Sequence, residues 1–198
     1  LISRLNADYN ALMTQDAEEG IKRKRRQNEK KFGQWEELPN GGRRYFYEVE
    51  GRMGWKARYV KEVDAKERTL RFYQEIYDER GELVEIHPEV PSGYRTPEGS
   101  NGKAEGGGPR MITRKDVAEK LIKYLQHRMT LEELVDWAER TLMEEELEES
   151  EVETLREILA RLGAADVRAF ALTWEDCEEF LKRLGYRVEV QVQEVEQV

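Results

Sequence analysis

Between Ser92 and Arg110 the chain runs through Ser92-Gly93, Pro97, Gly99, Ser100, Gly102 and Gly106-Gly107-Gly108-Pro109. No regular helix or strand tolerates that density of glycine and proline, so whatever folds must fold on either side of it. The sequence is accordingly read as a domain over 1–91, a Gly-rich linker over 92–110 and a second domain over 111–198. Met111-Ile112-Thr113 reads like a natural protein start, so the expectation is two formerly separate polypeptides joined by gene fusion or by design.

The two sides differ in charge. Residues 1–110 carry 21 Lys+Arg against 20 Asp+Glu, whereas 111–198 carry 12 against 22, a split that accounts for the net −9 of the whole chain. Such asymmetry points to a charged partner for one half: nucleic acid for the basic surface, or the other half of the same chain. Charged residues make up 38% of the chain and apolar residues another 38%, but the apolar residues are periodic, which favours folded domains over disorder. Cys177 is the sole cysteine, which excludes an intrachain disulfide. No apolar run approaches the roughly 20 residues that span a bilayer, and no signal peptide is visible, so no membrane partner and a cytoplasmic location are expected.

In the first half, Ile2, Leu5, Tyr9, Leu12 and Met13 recur at helical spacing, with Gly20 a candidate interruption. A basic run follows from Lys22 to Lys31. It reads as a phosphate-binding patch, as the solvated face of a helix, or as the partner of acidic residues elsewhere in the chain. Four strands are predicted over 43–49, 55–63, 68–77 and 83–87, separated by short turns, which implies an antiparallel meander. One face is expected to carry Tyr45, Tyr47, Trp55, Tyr59, Tyr73 and Tyr77 as a half-exposed binding surface. The other, with Phe46, Val60, Leu70, Phe72, Ile76, Val84 and Ile86, is expected to be the core.

The acidic half carries helix start signals at Thr113/Asp116, Thr130/Glu133, Ser150/Glu153 and Thr173/Asp176, followed by apolar residues at helical intervals, with Gly163 and Gly185 at the expected ends. Four helices are predicted, with Cys177, Trp137 and Trp174 read as core or helix-contact residues. Tyr186, Val188, Val190 and Val192 then alternate with polar residues, which predicts a strand in need of a partner, either the N-terminal sheet or a second copy. The fold class read from the sequence is α+β: an N-terminal helix, a four-stranded antiparallel meander, and a four-helix acidic domain ending in a strand.

No metal site is expected, because His87 and His127 stand far apart and no Cys/His cluster has zinc spacing. The glycine runs lack the context of a phosphate loop, and no cofactor is expected. The residues with chemical potential are in the first half. Arg23, Lys24, Arg25, Arg26, Arg43, Arg44, Lys56 and Arg71 are candidates for contacting RNA phosphates, with tyrosines interleaved for stacking. His87, Arg58 and Tyr73 are the candidate catalytic groups, for proton transfer and for stabilising a charged phosphorane.

A basic helix followed by a small meander bearing Arg43, Arg44, Lys56, Arg58, Arg71 and tyrosines resembles the RelE-type ribonuclease toxins of bacterial toxin–antitoxin pairs. The resemblance covers about the first ninety residues and is architectural. It implies metal-independent RNA cleavage if the half is an enzyme, and an acidic partner that covers the basic site and sometimes adds a strand. Residues 111–198 resemble such a partner in charge and in the Tyr186–Val192 alternation. They depart from it in being too acidic for the DNA-binding role many antitoxins also have. The expectation is an effector–inhibitor module in one chain, with a basic RNA-interacting half masked by an acidic helical half. The alternative is a non-enzymatic RNA- or protein-binding adaptor with two independent domains.

Overall fold

The computed structural model describes residues 2–87 and 110–192. The expected linker therefore lies, apart from Arg110, outside the described residues. The fold is mixed α+β: a long N-terminal helix, a five-stranded antiparallel sheet, then several helices. Helix α1 spans Ile2–Phe32 and runs through Gly20 without a break, correcting the expected interruption. It ends at Gly33, whose φ of 77° is open to glycine at little cost.

The strands are β1 (Gln34–Glu37), β2 (Arg43–Glu50), β3 (Lys56–Val63), β4 (Thr69–Tyr77) and β5 (Leu83–His87), paired in that order. The expected meander lacked β1, whose four exposed residues carry no apolar alternation; its pairing with β2 is the only signal of strand character. The β3–β4 and β4–β5 hairpins turn alike. Asp64 accepts the amides of Lys66 and Arg68, and Asp78 accepts those of Arg80 and Glu82. Gly81 has φ 78°, and Glu67 occupies the equivalent place at φ 59°.

Val60, Phe72 and Ile76 of the expected core are buried, but Leu70, Val84 and Ile86 are exposed, and Tyr45 and Tyr59, expected on a half-exposed face, are buried. Tyr45 and Val49 of β2, Ala57, Tyr59, Lys61 and Val63 of β3, and Phe72, Gln74 and Ile76 of β4 point inward and are buried. Phe46 stays half-exposed on the outer face, where Val60 and Tyr73 stand beside it in register. The expectation placed Tyr45 and Tyr59 with Tyr73; strand parity sets them on opposite sides.

The acidic segment holds α2 (Arg114–Leu125), α3 (Leu131–Glu144), α4 (Val152–Gly163) and α5 (Trp174–Arg183). It is not the simple helical bundle expected. A two-stranded parallel ladder joins β6 (Met111–Ile112) to β7 (Glu146–Leu147), and two 3₁₀ turns lie at Glu149–Glu151 and Arg168–Phe170. Thr113, Thr130 and Thr173 form capping boxes with Asp116, Glu133 and Asp176. Ser150 does not cap, because the first 3₁₀ turn occupies its place and α4 starts one residue after Glu151. Gly163 is the last residue of α4 rather than a left-handed cap, and a Cβ there would sit 2.7 Å from the Tyr59 hydroxyl. Gly185 does end its helix, with φ 89° and the amides of Gly185 and Tyr186 returning to Lys182 and Leu181. Cys177 is buried as expected, while Trp174 is exposed.

Within the chain the expected C-terminal strand finds no partner: residues 186–192 carry no ladder bonds, and Val190 and Val192 are exposed. Alternation over a few residues satisfies a strand pattern, but a strand exists only where another backbone pairs with it. Helices α1 and α4 cover the inner face of the sheet, and one continuous buried cluster runs from Phe32, Tyr45 and Tyr59 to Leu121, Leu142, Leu155 and Phe180. No helix among the described residues is long and apolar enough to cross a membrane.

Candidate functional site at the junction of sheet and helices

Two buried lysines from the first half reach the C-terminal end of α3. A helix leaves its last carbonyls without intrahelical donors and carries partial negative charge there. Lys31 Nζ donates to the carbonyls of Leu142 (2.9 Å), Thr141 (3.5 Å) and Glu145. Lys61 Nζ donates to the carbonyl of Met143 (2.6 Å) and to Asn28 Oδ1 (3.1 Å). Lys31 and Lys61 are 3% and 6% exposed, which long cationic side chains reach only when paired. Burial lowers both amines. Lys31 is pulled down further by Lys61 beside it, and Lys61 falls to about 8 despite the opposing pull of Glu67.

Glu67 anchors the same region from the tip of the β3–β4 hairpin. Its carboxylate, fully buried, accepts from Arg25 Nε (2.9 Å), Asn28 Nδ2 (2.9 Å) and the Tyr45 hydroxyl (3.0 Å). A non-glycine residue in the left-handed region costs about 1–2 kcal/mol, which this network offsets. A cleft of about 570 Å³ opens over the cluster, lined by Lys24, Asn28, Lys61, Glu67, Leu70 and Glu144 among others. Around its rim the basic run meets the acidic half: Arg23 lies 3.5 Å from Glu146, and Lys30 lies 2.8 Å from Glu149.

A second polar centre lies further along the junction. Tyr47, Tyr59, Gln74 and His87 form one cross-strand row on the inner face. Tyr59 donates to the carbonyl of Ala160 (2.8 Å), and burial raises its hydroxyl well above the usual range. Gln74 is 1% exposed and close enough to influence Tyr59, yet neither of its amide atoms meets hydrogen-bond geometry with a described residue. His87 Nδ1 stands 3.8 Å from Asp166, and its Nε2, 3.6 Å from Glu85, has no hydrogen-bond partner among the described residues. Burial pushes the Glu139 carboxyl up to about 8, with Asp166 and Asp136 adding to the effect.

The residues singled out from the sequence do not converge. His87 pairs with Gln74 on the inner face, whereas Arg58 and Tyr73 lie on the outer face, so the three catalytic candidates are divided by the sheet. The RNA candidates divide as well. Arg23, Lys24, Arg25 and Arg26 are on α1, on the helical side; Arg44, Lys56 and Arg71 are on the outer face. Several are already ion-paired: Arg25 with Glu67, Arg43 with Glu29 and Glu37, and Arg44 with Glu36 and Glu62. Tyr186, Val188, Val190 and Val192 lie along the chain after α5, with only Val188 packed against the core. Lys31, Lys61, Glu67, Gln74 and Glu139 were not anticipated as a site. One signal was available: Lys61 falls on the buried parity of β3, between Tyr59 and Val63, where a lysine needs a buried acceptor. No group of three or more His, Cys, Asp or Glu that could hold a metal occurs among the described residues.

No family model, no curated protein and no solved structure matches the chain.

Proposed function

We propose that the acidic helical half is a built-in cover for the basic half, an effector–inhibitor module of the toxin–antitoxin kind held in one chain, whose covered surface binds RNA. The observation that carries this reading is the insertion of Lys31 and Lys61 into the carbonyl end of α3, with Arg23 and Lys30 facing Glu146 and Glu149 beside it. The basic run is thereby engaged by the most acidic stretch of the chain, and the phosphate-binding charge it would otherwise offer is neutralised.

The test removes the cover's charge without adding any cation. In the full chain, Glu146→Gln with Glu149→Gln should tighten binding of a single-stranded RNA oligonucleotide about tenfold at low salt and steepen its salt dependence. Glu175→Gln with Glu178→Gln, an equal charge change on α5, should leave binding as it was. Equal effects from both pairs would reduce the masking idea to net charge. A second reading, binding without cleavage, is favoured by the separation of His87 from Arg58 and Tyr73. It predicts that the RNA bound by the first pair is recovered intact.

A further inference from the structure

The outer face of the sheet has an order that the strand register makes explicit. One cross-strand row reads Glu36, Arg44, Glu62, Arg71; another reads Glu48, Arg58, Glu75. Between them lies the row Phe46, Val60, Tyr73, in which Val60 is already buried beneath its neighbours and Phe46 and Tyr73 offer half-exposed rings. Signs alternate along each charged row, and the two rows are out of phase: on β2, β3 and β4 an Arg in one row stands where the other has a Glu. Within the rows Arg44 reaches Glu36 (2.6 Å) and Glu62 (2.8 Å), and Arg58 reaches Glu48 (2.5 Å) and Glu75 (3.7 Å). Arg58 also lies over the rings of Phe46 and Tyr77, and Arg71 over Tyr73.

We propose that this face is the interface of a homodimer, two copies packing sheet on sheet about a two-fold axis that runs along the Phe46–Val60–Tyr73 row. Rotation about that axis exchanges the two charged rows. It sets Arg44 over the partner's Glu48, Glu62 over the partner's Arg58 and Arg71 over the partner's Glu75, while the apolar row meets itself. A two-fold interface must be self-complementary, and the phase shift between the rows provides that. The only other simple face-to-face axis, along the strands, would set Arg44 against Arg71 and Glu62 against itself.

Nucleic acid fits this face poorly, because four Glu stand against three Arg in the two rows and the carboxylates repel phosphates. Five strands about 4.8 Å apart and seven residues at about 3.3 Å each give roughly 1,000 Å² over both copies, the lower end for a specific interface. A dimer of about micromolar strength is the expectation for so small a contact, and it does not depend on the masking reading, which concerns the opposite face.

The test is a cross-complementation with the full chain by sedimentation equilibrium at up to about 100 µM, where the 23.4 kDa chain should approach twice its mass. Arg58→Glu sets a carboxylate over Glu62 of the partner, and Glu62→Arg sets two cations together, so each variant alone should lose dimer affinity at least tenfold. Mixed in equal amounts they should form a heterodimer, because each now supplies the charge the other lacks. A native chain that stays monomeric, a dimer indifferent to either reversal, or folded single variants that fail to associate when mixed would each overturn the proposal. If circular dichroism shows that a reversal variant has lost its fold, Arg58→Gln and Glu62→Gln take their place. Weakening of the dimer by each then supports the interface, and unchanged affinity overturns it.

Discussion

The two polar centres between sheet and helices use buried charge in opposite ways. At the α3 end, every hydrogen of Lys31 Nζ has a carbonyl to meet, and Lys61 has two acceptors. One inward row further along the sheet, Gln74 is as deeply buried and has no hydrogen-bond partner for either amide atom among the described residues, with Glu139 and Asp166 close to its neighbour Tyr59. Burial alone therefore does not decide whether a polar side chain stabilises its surroundings. The lysines serve the helix-end carbonyls of Leu142 and Met143, which have no other donor among the described residues, whereas the glutamine gives up hydration with no described residue in hydrogen-bond geometry to replace it.

The largest effect is expected at the α3 end. Lys31→Met should lower stability by about 4 kcal/mol, because the carbonyls of Leu142 and Glu145 lose their donor together while Thr141 keeps only the Glu145 amide, and thermal unfolding would show it as a large fall in Tm. An unchanged Tm would mean that the α3 end does not need the lysine.

The next effect is a pH profile. Lys61 is held down at about 8, so its contribution to stability is present above the usual lysine range and is lost as pH falls through about 8. Glu139 is held up at about 8, so its contribution is present below the usual glutamate range and is lost as pH rises through about 8. Lys31, whose amine burial also lowers, gains with Lys61 as pH rises, so stability should climb by about 2 kcal/mol or more from pH 8 to about 9.5. Denaturant midpoints across that range would trace the climb. Lys61→Met should make it shallower, leaving the share of Lys31, and Glu139→Gln should remove a loss that sets in on the way up to pH 8; a profile that falls above pH 8 would contradict the lysine assignments.

A smaller change of the opposite sign is expected at the second centre. Gln74→Leu should raise stability by about 1–2 kcal/mol, since it removes an amide buried without partners. A loss of similar size would mean that Gln74 is satisfied after all. The least effect belongs to the exposed contact between Arg52 and Asp176 at 2.7 Å. Arg52→Ala should change stability by less than about 1 kcal/mol, leaving the junction to its buried centres.

What could be read from the sequence was local chemistry. Thr113, Thr130 and Thr173 announce helix starts because the cap and its third residue lie within one turn, and Asp64 and Asp78 mark turns for the same reason. The errors share an origin in pairing across distance. β1 exists because β2 is beside it, residues 186–192 are not a strand because nothing pairs with them, and Tyr59 and Tyr73 were set on one face because register between strands was not visible. The site failed in the same way. Lys31 stood in a basic run open to several readings and Lys61 drew none, because what holds them, the end of α3, lies more than eighty residues further along.

Glu67 gives the two matching hairpins different places in the order of folding. The β4–β5 turn, with Gly81 at its left-handed position, needs only its own few residues to close. The β3–β4 turn places a side chain under steric strain at that position, and the compensating bonds come from Arg25, Asn28 and Tyr45, two of them on α1. Until the helix docks, this tip is uphill. The rate at which the central hairpin forms is thus tied to the arrival of the N-terminal helix, and Glu67→Gly would uncouple the two, speeding closure of the turn while loosening the helix it now holds.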